Sequence, residues 1–324
     1  MQQSISDKSS ISYVLRGMAI WSVIYAHSLN FENHYLSVLS EMLGLVGVPL
    51  FLICSGAYFK YQPWPEFWRK KINTLLLPWV IWGTFAYGIS CVLGANEVSI
   101  FRYMSYLLGY KTWLYYVPVY FVILLIFNFI RIRYFEYIMI LVNILSILVT
   151  YVFHLPIIGD TFTFYQNPFN FIGFFSLGLI LSENEKLVRI QSLPLLVVSC
   201  IVSLFAFLFF VLSDEIIRYV HPIALIFEAS FFVILLRIAT IIKTNRVLTY
   251  LGKNSYIIYF LHMQIGISLS NKILNLLNVT NEYVLFILKP VLVIIVTVSA
   301  IQILAAILKI LNFSRYRGLF GLAR

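Results

Sequence analysis

The sequence predicts an all-α, polytopic membrane protein with about ten transmembrane helices and both termini in the cytoplasm. Its residues are 61% hydrophobic and 11% charged, with a mean hydropathy of +0.91, whereas about a quarter of the residues in a soluble globular protein are charged. Apolar runs that can cross about 30 Å of hydrocarbon recur along the whole chain. The Lys and Arg residues are divided unequally between alternate connecting segments, as the positive-inside rule describes.

Ten apolar runs approach the roughly 20 residues that a transmembrane helix needs. The predicted spans are 11–30, 43–60, 73–95, 112–130, 136–153, 165–182, 194–213, 219–240, 248–270 and 283–308. In chain order, the polar or basic segments that precede them are MQQSISDKSS, the stretch 31–42, FWRKK, the stretch 96–111, RIRYF, the stretch 154–164, ENEKLVRIQS, DEIIR, KTNR and NVTNE. The longest expected loops, 31–42, 96–111 and 154–164, leave no room for a soluble domain. Residues 1–324 are therefore expected to form one membrane-embedded domain.

The ten-span arrangement places 18 of the 23 Lys and Arg residues on one side of the membrane. The opposite side holds Arg102, Lys111, Arg218, Lys272 and Lys289. Because positive residues concentrate on the cytoplasmic side, both termini are expected there. The formal charge of +10 follows from this bias and does not indicate binding to nucleic acid. The polar N-terminal segment lacks the cleavage site of a signal peptide, so the first span is expected to remain as a helix.

The spans carry no pattern of metal ligands. Cys54, Cys91 and Cys200 are scattered through predicted helices, which indicates neither a disulfide framework nor a metal site. A Gly-rich phosphate loop and a Gly-x-Ser-x-Gly elbow are both missing from the sequence. No metal is expected, and the chemistry must come from side chains on helices and short loops.

Two ionisable residues stand out in the first span, LRGMAIWSVIYAHS. Arg16 and His27 are eleven residues apart, so on an α-helix they differ by about 20° in direction and about 16 Å in height. With the N-terminus inside, Arg16 lies toward the cytoplasm and His27 toward the outer leaflet. An Arg near a bilayer centre costs roughly 2.5–3.5 kcal/mol, which makes it a candidate functional residue, and histidine is the usual general base near neutral pH.

Each of the two residues also has a purely structural interpretation. Arg16 can be a topology anchor whose side chain extends to the cytoplasmic headgroups. His27 can form an ordinary hydrogen bond between helices. Their common face favours a functional interpretation for both.

The spacing of Arg16 and His27 resembles the first-helix signature of the acyltransferase-3 family, bacterial integral-membrane enzymes that acylate surface glycans, lipids and related acceptors. Segments farther along are similar to family motifs in the same order: GVPLFLICSGAYF (47–59), FWRKKINTLLLPW (67–79), TWLYYVPVYFV (112–122), FNFIGFFSLGLIL (169–181) and LGKNSYIIYFLH (251–262). Leu52 replaces a Phe of the family pattern. Lys70 and Lys71 stand where a pair with one or two arginines is common, and lysine cannot make the bidentate phosphate contact of arginine.

The resemblance implies an enzyme that moves an acyl group, expected to be acetyl, from cytoplasmic acyl-CoA to a hydroxyl of a cell-surface polysaccharide or its lipid-linked precursor. His27 is then the general base or a transient acyl carrier. The phosphates of acyl-CoA require clustered cations, for which Arg69, Lys70 and Lys71 are candidates, with Arg16 deeper in the membrane. These cations are equally explained as positive-inside charges.

Two further residues are candidates for donor binding, each with a structural alternative. Ser55 can donate a hydrogen bond to the thioester carbonyl or, beside a glycine, only let helices approach. Trp113 can line the path of the pantetheine arm or sit in the aromatic belt at the membrane interface.

Glu228 is the one carboxylate deep in a predicted span and is a candidate catalytic residue. An isolated buried charge is costly, so Glu228 is expected to be protonated or paired, with Arg16 or Arg237 as conceivable partners. His262 is expected to be an interior hydrogen-bonding group rather than a second base. His34, His154 and His221 carry no distinguishable signal.

Two other functional classes compete with the acyltransferase. An exporter or flippase of a polysaccharide or lipid-linked oligosaccharide is also polytopic and basic inside, but such transporters often contain internal repeats, and none is visible here. A catalytically silent scaffold is the third class. The expected location is the bacterial cytoplasmic (inner) membrane. Because the chain ends soon after its last span, any extracytoplasmic soluble domain that completes the transfer must be a separate partner.

Overall fold

The computed structural model describes residues 2–28, 31–110, 112–153, 164–182, 189–213 and 217–322. All regular secondary structure in these residues is helical. The α-helices are α1 (Gln2–Ser28), α2 (His34–Leu45), α3 (Gly47–Ala57), α4 (Trp64–Lys71), α5 (Leu77–Val92), α6 (Ile100–Leu107), α7 (Tyr116–Phe129), α8 (Phe135–Phe153), α9 (Ile172–Ile180), α10 (Leu193–Leu212), α11 (Pro222–Ile241), α12 (Arg246–Lys253), α13 (Ser255–Leu261), α14 (Ser268–Leu276) and α15 (Glu282–Ile310).

Short helices of other types join or extend these elements. Two π-helices continue α-helices without a loop: Ile72–Leu76 joins α4 to α5, and His262–Ile267 joins α13 to α14. The 3-10 helices are Trp113–Tyr115, Phe164–Gln166, Pro168–Asn170 and Ser314–Phe320.

Side chains at the helix starts account for several of the boundaries. The carboxamide of Asn33 accepts a hydrogen bond from the Leu36 N–H at the start of α2. His221 caps α11 in the same way, ahead of a proline in the first turn. Such caps satisfy N–H groups that have no partner inside the helix, so the connecting segments end where the cap begins.

In the described part of the chain, six helical stretches are long and apolar enough to cross a membrane: His34–Ala57, Trp64–Val92, Phe135–Phe153, Leu193–Leu212, Pro222–Ile241 and Glu282–Ile310. Trp113–Phe129 is a shorter apolar helix. Every one of the ten predicted spans contains helix. The all-helical fold class is therefore confirmed for the described residues, while the count of ten crossings and the cytoplasmic termini stay predictions.

Two segments expected as loops contain helices instead. The stretch 31–42 is mostly α2, in which Leu36, Val38 and Met42 are buried. The stretch 96–111 contains α6. Both segments are rich in polar residues, which hides the apolar face that each helix packs against its neighbours. The third expected loop, 154–164, lies outside the described residues except for its last position.

The contacts divide the chain into two compact units. The first comprises Met1–Tyr58 and Phe174–Ile301, and the second comprises Phe59–Gly173 and Gln302–Arg324.

In the first unit, α1 packs closely against α12 because glycines remove the intervening side chains. A Cβ on Gly17 would meet the backbone carbonyl group of Leu248, and a Cβ on Gly252 would meet the carbonyl oxygen of Tyr13. Gly17 thus faces α12 and Gly252 faces α1. Small residues at such positions let helix backbones approach within a membrane. This contact fixes the position of α1 relative to α12 at Gly17, the residue next to Arg16.

A second glycine contact joins α3 to α9 in the same unit. A Cβ on Gly56 would meet the Phe175 carbonyl oxygen, and a Cβ on Gly178 would meet the Ile53 carbonyl oxygen. Both contacts are with backbone, which cannot rotate away. The two helices therefore pack with their backbones nearly touching at these points.

In the second unit, polar side chains form hydrogen bonds with partly buried backbone groups of connecting segments. The Tyr87 hydroxyl donates to the Glu97 carbonyl at 2.6 Å and accepts from the Ser99 N–H at 3.2 Å. The Asn128 carboxamide accepts from the Gln62 N–H at 3.0 Å and donates to the Gln62 carbonyl at 3.2 Å. Because an unsatisfied buried polar group is costly, these bonds fix the connections between the apolar helices of this unit.

Candidate functional site

Helix α1 carries both residues of the first-span signature. Arg16 lies in the middle of the helix and is half-buried. His27 lies in the last turn of the helix, and its side chain is exposed. The rise of an α-helix separates the two residues by about 16 Å. They are therefore two ends of one helix face and do not contact each other.

Arg16 is surrounded by polar groups from α1 and α3. Its guanidinium lies near the Cys54 thiol, whose sulfur is 4.0 Å from the Ser12 carbonyl oxygen. Tyr58 also lies near Arg16. Among the described residues, the ion pairs do not include Arg16. A half-buried guanidinium without a carboxylate beside it has donors available for an anion.

A mainly apolar cavity of about 80 Å³ lies beside these groups. Its lining residues include Ser12 and Leu15 of α1, Cys54 of α3, Tyr58 directly after α3, and Phe232 of α11. A cavity of about 10–15 Å³ measured with a water-sized probe holds one water molecule, so this cavity has room for a group of several heavy atoms.

Within the first unit, the ring of His27 lies next to the ring of a second histidine, His262. The ring centroids are 5.6 Å apart and the ring planes are inclined by 41°. His262 is fully buried and begins the π-helix between α13 and α14. Its Nδ1 lies 2.7 Å from the Tyr259 carbonyl oxygen. The expected interior hydrogen bond of His262 is confirmed, while its proximity to His27 has no signal in the local sequence pattern because the two residues lie far apart in the chain.

Glu228 is buried in α11, with only 1% of its surface exposed. Neither of its carboxylate oxygens has a hydrogen-bond partner among the described residues. The conceivable partners Arg16 and Arg237 form no ion pair with it in that part of the chain. The expected pairing with Arg16 or Arg237 is therefore not observed among the described residues, and protonation of Glu228, the other expectation, stays a prediction that follows from the cost of burying an unpaired charge.

The candidate phosphate-binding residues lie in the last turn of α4, in the second unit. Arg69 and Lys70 are exposed, whereas Lys71 is half-buried with its Nζ 6.0 Å from the centre of the Phe67 ring. The three cations are consecutive in the sequence, and the helix continues past them through the π-helix Ile72–Leu76. The cluster is accessible to a polyanionic ligand.

Ser55 and Trp113 complete the set of predicted site residues. Ser55 is half-buried on α3, directly before the glycine that contacts α9. Trp113 is buried in the second unit, with its ring edge-on to Tyr106. The burial of Trp113 favours an interior role over a place in an exposed aromatic belt.

The other histidines have structural contacts or lie outside the described residues. The exposed His34 is 3.0 Å from the Val211 carbonyl oxygen through its Nε2. The Nδ1 of His221 accepts from the Ile223 N–H at 3.2 Å. His154 lies outside the described residues. In the part of the chain that the structure describes, no group of three or more His, Cys, Asp or Glu residues is arranged to hold a metal ion.

The long apolar helices, the half-buried arginine and the exposed histidine define a membrane protein with a candidate acid–base site. The chain belongs to the acyltransferase-3 family: the model of this family, an acyltransferase domain, matches residues 13–306. The matched residues include Arg16, His27 and His262. The chain is thus a membrane acyltransferase in general terms. Searches of curated proteins and of solved structures found no match.

Proposed function

We propose that this protein transfers an acyl group, acetyl in the first instance, from cytoplasmic acyl-CoA to a hydroxyl of a cell-surface polysaccharide or its lipid-linked precursor. Family membership supports acyl transfer in general. The observation that carries the finer proposal is an exposed histidine on the helix that also carries the half-buried Arg16. This places a cation and a titratable imidazole on one helix, and acyl transfer from a polyanionic donor needs both.

In the proposed reaction, His27 removes the proton from the acceptor hydroxyl. The acceptor oxygen then attacks the thioester carbon, the carbon–sulfur bond breaks, and the thiol leaves with the proton that His27 had taken up. General-base catalysis of this kind contributes typically 10²–10⁴-fold. The alternative, in which the acyl group first rests on His27, uses the same imidazole as a nucleophile.

Arg69, Lys70 and Lys71 bind the phosphates of the donor in this proposal. The exposure of Arg69 and Lys70 and the consecutive positions of the three cations support it, since charge-assisted hydrogen bonds to phosphate are stronger than those between neutral groups. Changing Lys70 and Lys71 together to Gln raises the KM for acetyl-CoA about tenfold and leaves kcat unchanged. Lys60→Gln, at an exposed lysine of the same unit, is the matched control and leaves both constants unchanged. An unchanged KM in the double variant reduces the lysines to topology anchors.

Ser55 and Trp113 complete donor binding in this proposal. Ser55 donates a hydrogen bond to the thioester carbonyl, and the ring of Trp113 borders the path of the pantetheine arm. Ser55→Ala removes only the hydroxyl, so it lowers kcat for transfer if this donation occurs. An unchanged rate assigns Ser55 to helix packing alone.

Glu228 is proposed as a neutral carboxylic acid of the same site. A buried carboxyl group without a partner can donate a hydrogen bond when the substrate arrives. Glu228→Gln keeps the size and the neutral donor, so protein abundance stays near the wild-type level and activity is retained in part. Glu228→Leu removes the donor and lowers turnover. Equal turnover of the two variants removes Glu228 from the site.

The protein is proposed to act as one membrane domain in the bacterial inner membrane, with both termini in the cytoplasm. Its proposed partners are then the lipid bilayer, acyl-CoA and the glycan acceptor. The distribution of Lys and Arg supports this orientation.

Membrane vesicles of defined orientation test the proposal. Inside-out vesicles from cells that make the glycan receive ¹⁴C-acetyl-CoA, and label in the glycan fraction is counted. We expect incorporation only in inside-out vesicles, a loss of at least a hundredfold in His27→Ala, and wild-type incorporation in His34→Ala, which removes an exposed histidine elsewhere in the unit. Full incorporation in His27→Ala at equal protein abundance contradicts the mechanism.

A further inference from the structure

We propose that His262 is a positioning residue for His27: its Nε2 accepts a hydrogen bond from the His27 ring, directly or through one water, and so selects the His27 tautomer. The inference rests on the proposed function, in which His27 acts as base or nucleophile. The proposal gives His262 a role in catalysis through His27, and it explains why the buried polar ring of His262 lies beside His27.

The hydrogen bonds of His262 determine which of its nitrogens carries the proton. Nδ1 lies 2.7 Å from the Tyr259 carbonyl oxygen and 3.2 Å from the Ile258 carbonyl oxygen. A carbonyl oxygen only accepts, so Nδ1 must be the donor. In the neutral ring, Nε2 is then unprotonated and can only accept. Nε2 is buried, and no described residue hydrogen-bonds to it.

The fold holds this acceptor in a fixed place. His262 is 0% exposed and opens the π-helix His262–Ile267, and π-helical turns inside α-helices occur frequently at functional sites. Gly266 in the same turn packs on α15, where a Cβ would meet the hydroxyl of Thr297. The π-helix is therefore supported from behind by α15 while His262 projects toward α1.

The position of His27 completes the argument. With the ring centroids 5.6 Å apart, a small change in ring orientation or one bridging water joins the two imidazoles. His27 then donates its proton toward His262, and its other nitrogen is unprotonated. That nitrogen is available on the exposed side of the ring, where a base or nucleophile is needed. The hydrogen bond that one ring nitrogen makes determines the state of the other.

Two substitutions separate positioning from simple packing. His262→Leu keeps a side chain of moderate size but removes the acceptor, whereas His262→Gln places a carboxamide oxygen near the position of Nε2. We expect His262→Leu to lower kcat about tenfold, the factor for one hydrogen bond of about 1.4 kcal/mol, with the KM for acetyl-CoA unchanged. We expect His262→Gln to recover at least half of wild-type kcat.

The matched control is His221→Asn, which removes another buried imidazole of the same unit while keeping a capping side chain on α11. It leaves kcat unchanged. In a double-mutant cycle, His262→Leu causes no further loss once His27 is alanine, because a positioning residue acts only through its target.

The proposal is overturned by wild-type kcat in His262→Leu, by equal losses in the Leu and Gln variants, or by losses that multiply in the cycle. If His262→Leu does not accumulate, His262→Gln alone tests the proposal. The proposal is overturned if His262→Gln elutes as folded protein but its kcat is as low as that of His27→Ala. Failure of the proposed function is distinguishable, since it appears as an active His27→Ala variant. An inactive His27→Ala with a fully active His262→Leu refutes only the role of His262.

Discussion

Replacing Gly252 with alanine is expected to destabilise the first unit by about 2 kcal/mol. The new Cβ would overlap the Tyr13 carbonyl oxygen of α1, and the other nearby atoms are also backbone. Because no side chain can rotate away, α1 and α12 must separate. Overpacking costs typically 1–3 kcal/mol, and we place this case near or above the top of that range. Because alanine is a better helix former than glycine, the substitution regains at most about 1 kcal/mol. The net loss of stability is therefore about 2 kcal/mol.

Thermal unfolding in lipid nanodiscs measures this effect. A loss of 1 kcal/mol lowers Tm by roughly 2–4 °C in proteins of 150–250 residues, so we expect a decrease of about 4–8 °C for Gly252→Ala. Gly17→Ala acts on the same interface and is expected to be less than additive with it, because one separation of the helices relieves both contacts. Gly88→Ala in α5 is the matched control, since its Cβ meets nothing within 4 Å. Equal Tm values for Gly252→Ala and Gly88→Ala would refute the reasoning.

Three further predictions concern the second unit and the topology. Tyr87→Phe removes a buried hydroxyl that serves two backbone groups and is expected to cost about 1–3 kcal/mol, measured as a lower Tm; an unchanged Tm contradicts the assigned bonds. Lys70→Gln with Lys71→Gln raises the half-saturating acetyl-CoA concentration less at high salt than at low salt, because exposed charge interactions are screened; salt independence argues against phosphate binding. In a background without native cysteines, Ser10→Cys and Gly318→Cys react with a membrane-impermeant thiol reagent only from the cytoplasmic side, and labelling from outside overturns the orientation.

Two of the predicted spans, each preceded by a charged segment, match the observed helices closely. The predicted spans 136–153 and 194–213 differ by one residue from Phe135–Phe153 and Leu193–Leu212. In contrast, α2 was hidden in an expected loop, since its polar residues mask a buried apolar face. Part of its support comes from far along the chain: the Glu282 carboxylate accepts from the Glu32 and Asn33 N–H groups at 2.7 and 3.1 Å. Local periodicity contains no information about such a contact.

The same limit applies to the candidate site. Arg16 and His27 could be placed on one face because helical periodicity is a local property. The proximity of His262 to His27 depends on how α13 and the following π-helix pack against α1, which no spacing reveals. The neighbours of Glu228 could not be predicted from the sequence either. Charge alone suggested Arg16 and Arg237 as partners, and neither forms an ion pair with Glu228 among the described residues. Sequence reasoning thus identified the ionisable residues but not their neighbours.

Mass spectrometry of surface glycans tests the central claim most directly. Glycans are compared from cells with the wild-type chain, without it, and with His27→Ala at matched protein abundance. The account predicts that one acyl mass disappears from a defined glycan both without the chain and in His27→Ala, while the glycan itself remains on the surface. Acylated glycan in the His27→Ala cells, or loss of the whole glycan from the surface without the chain, would contradict it, and the second result would favour an exporter.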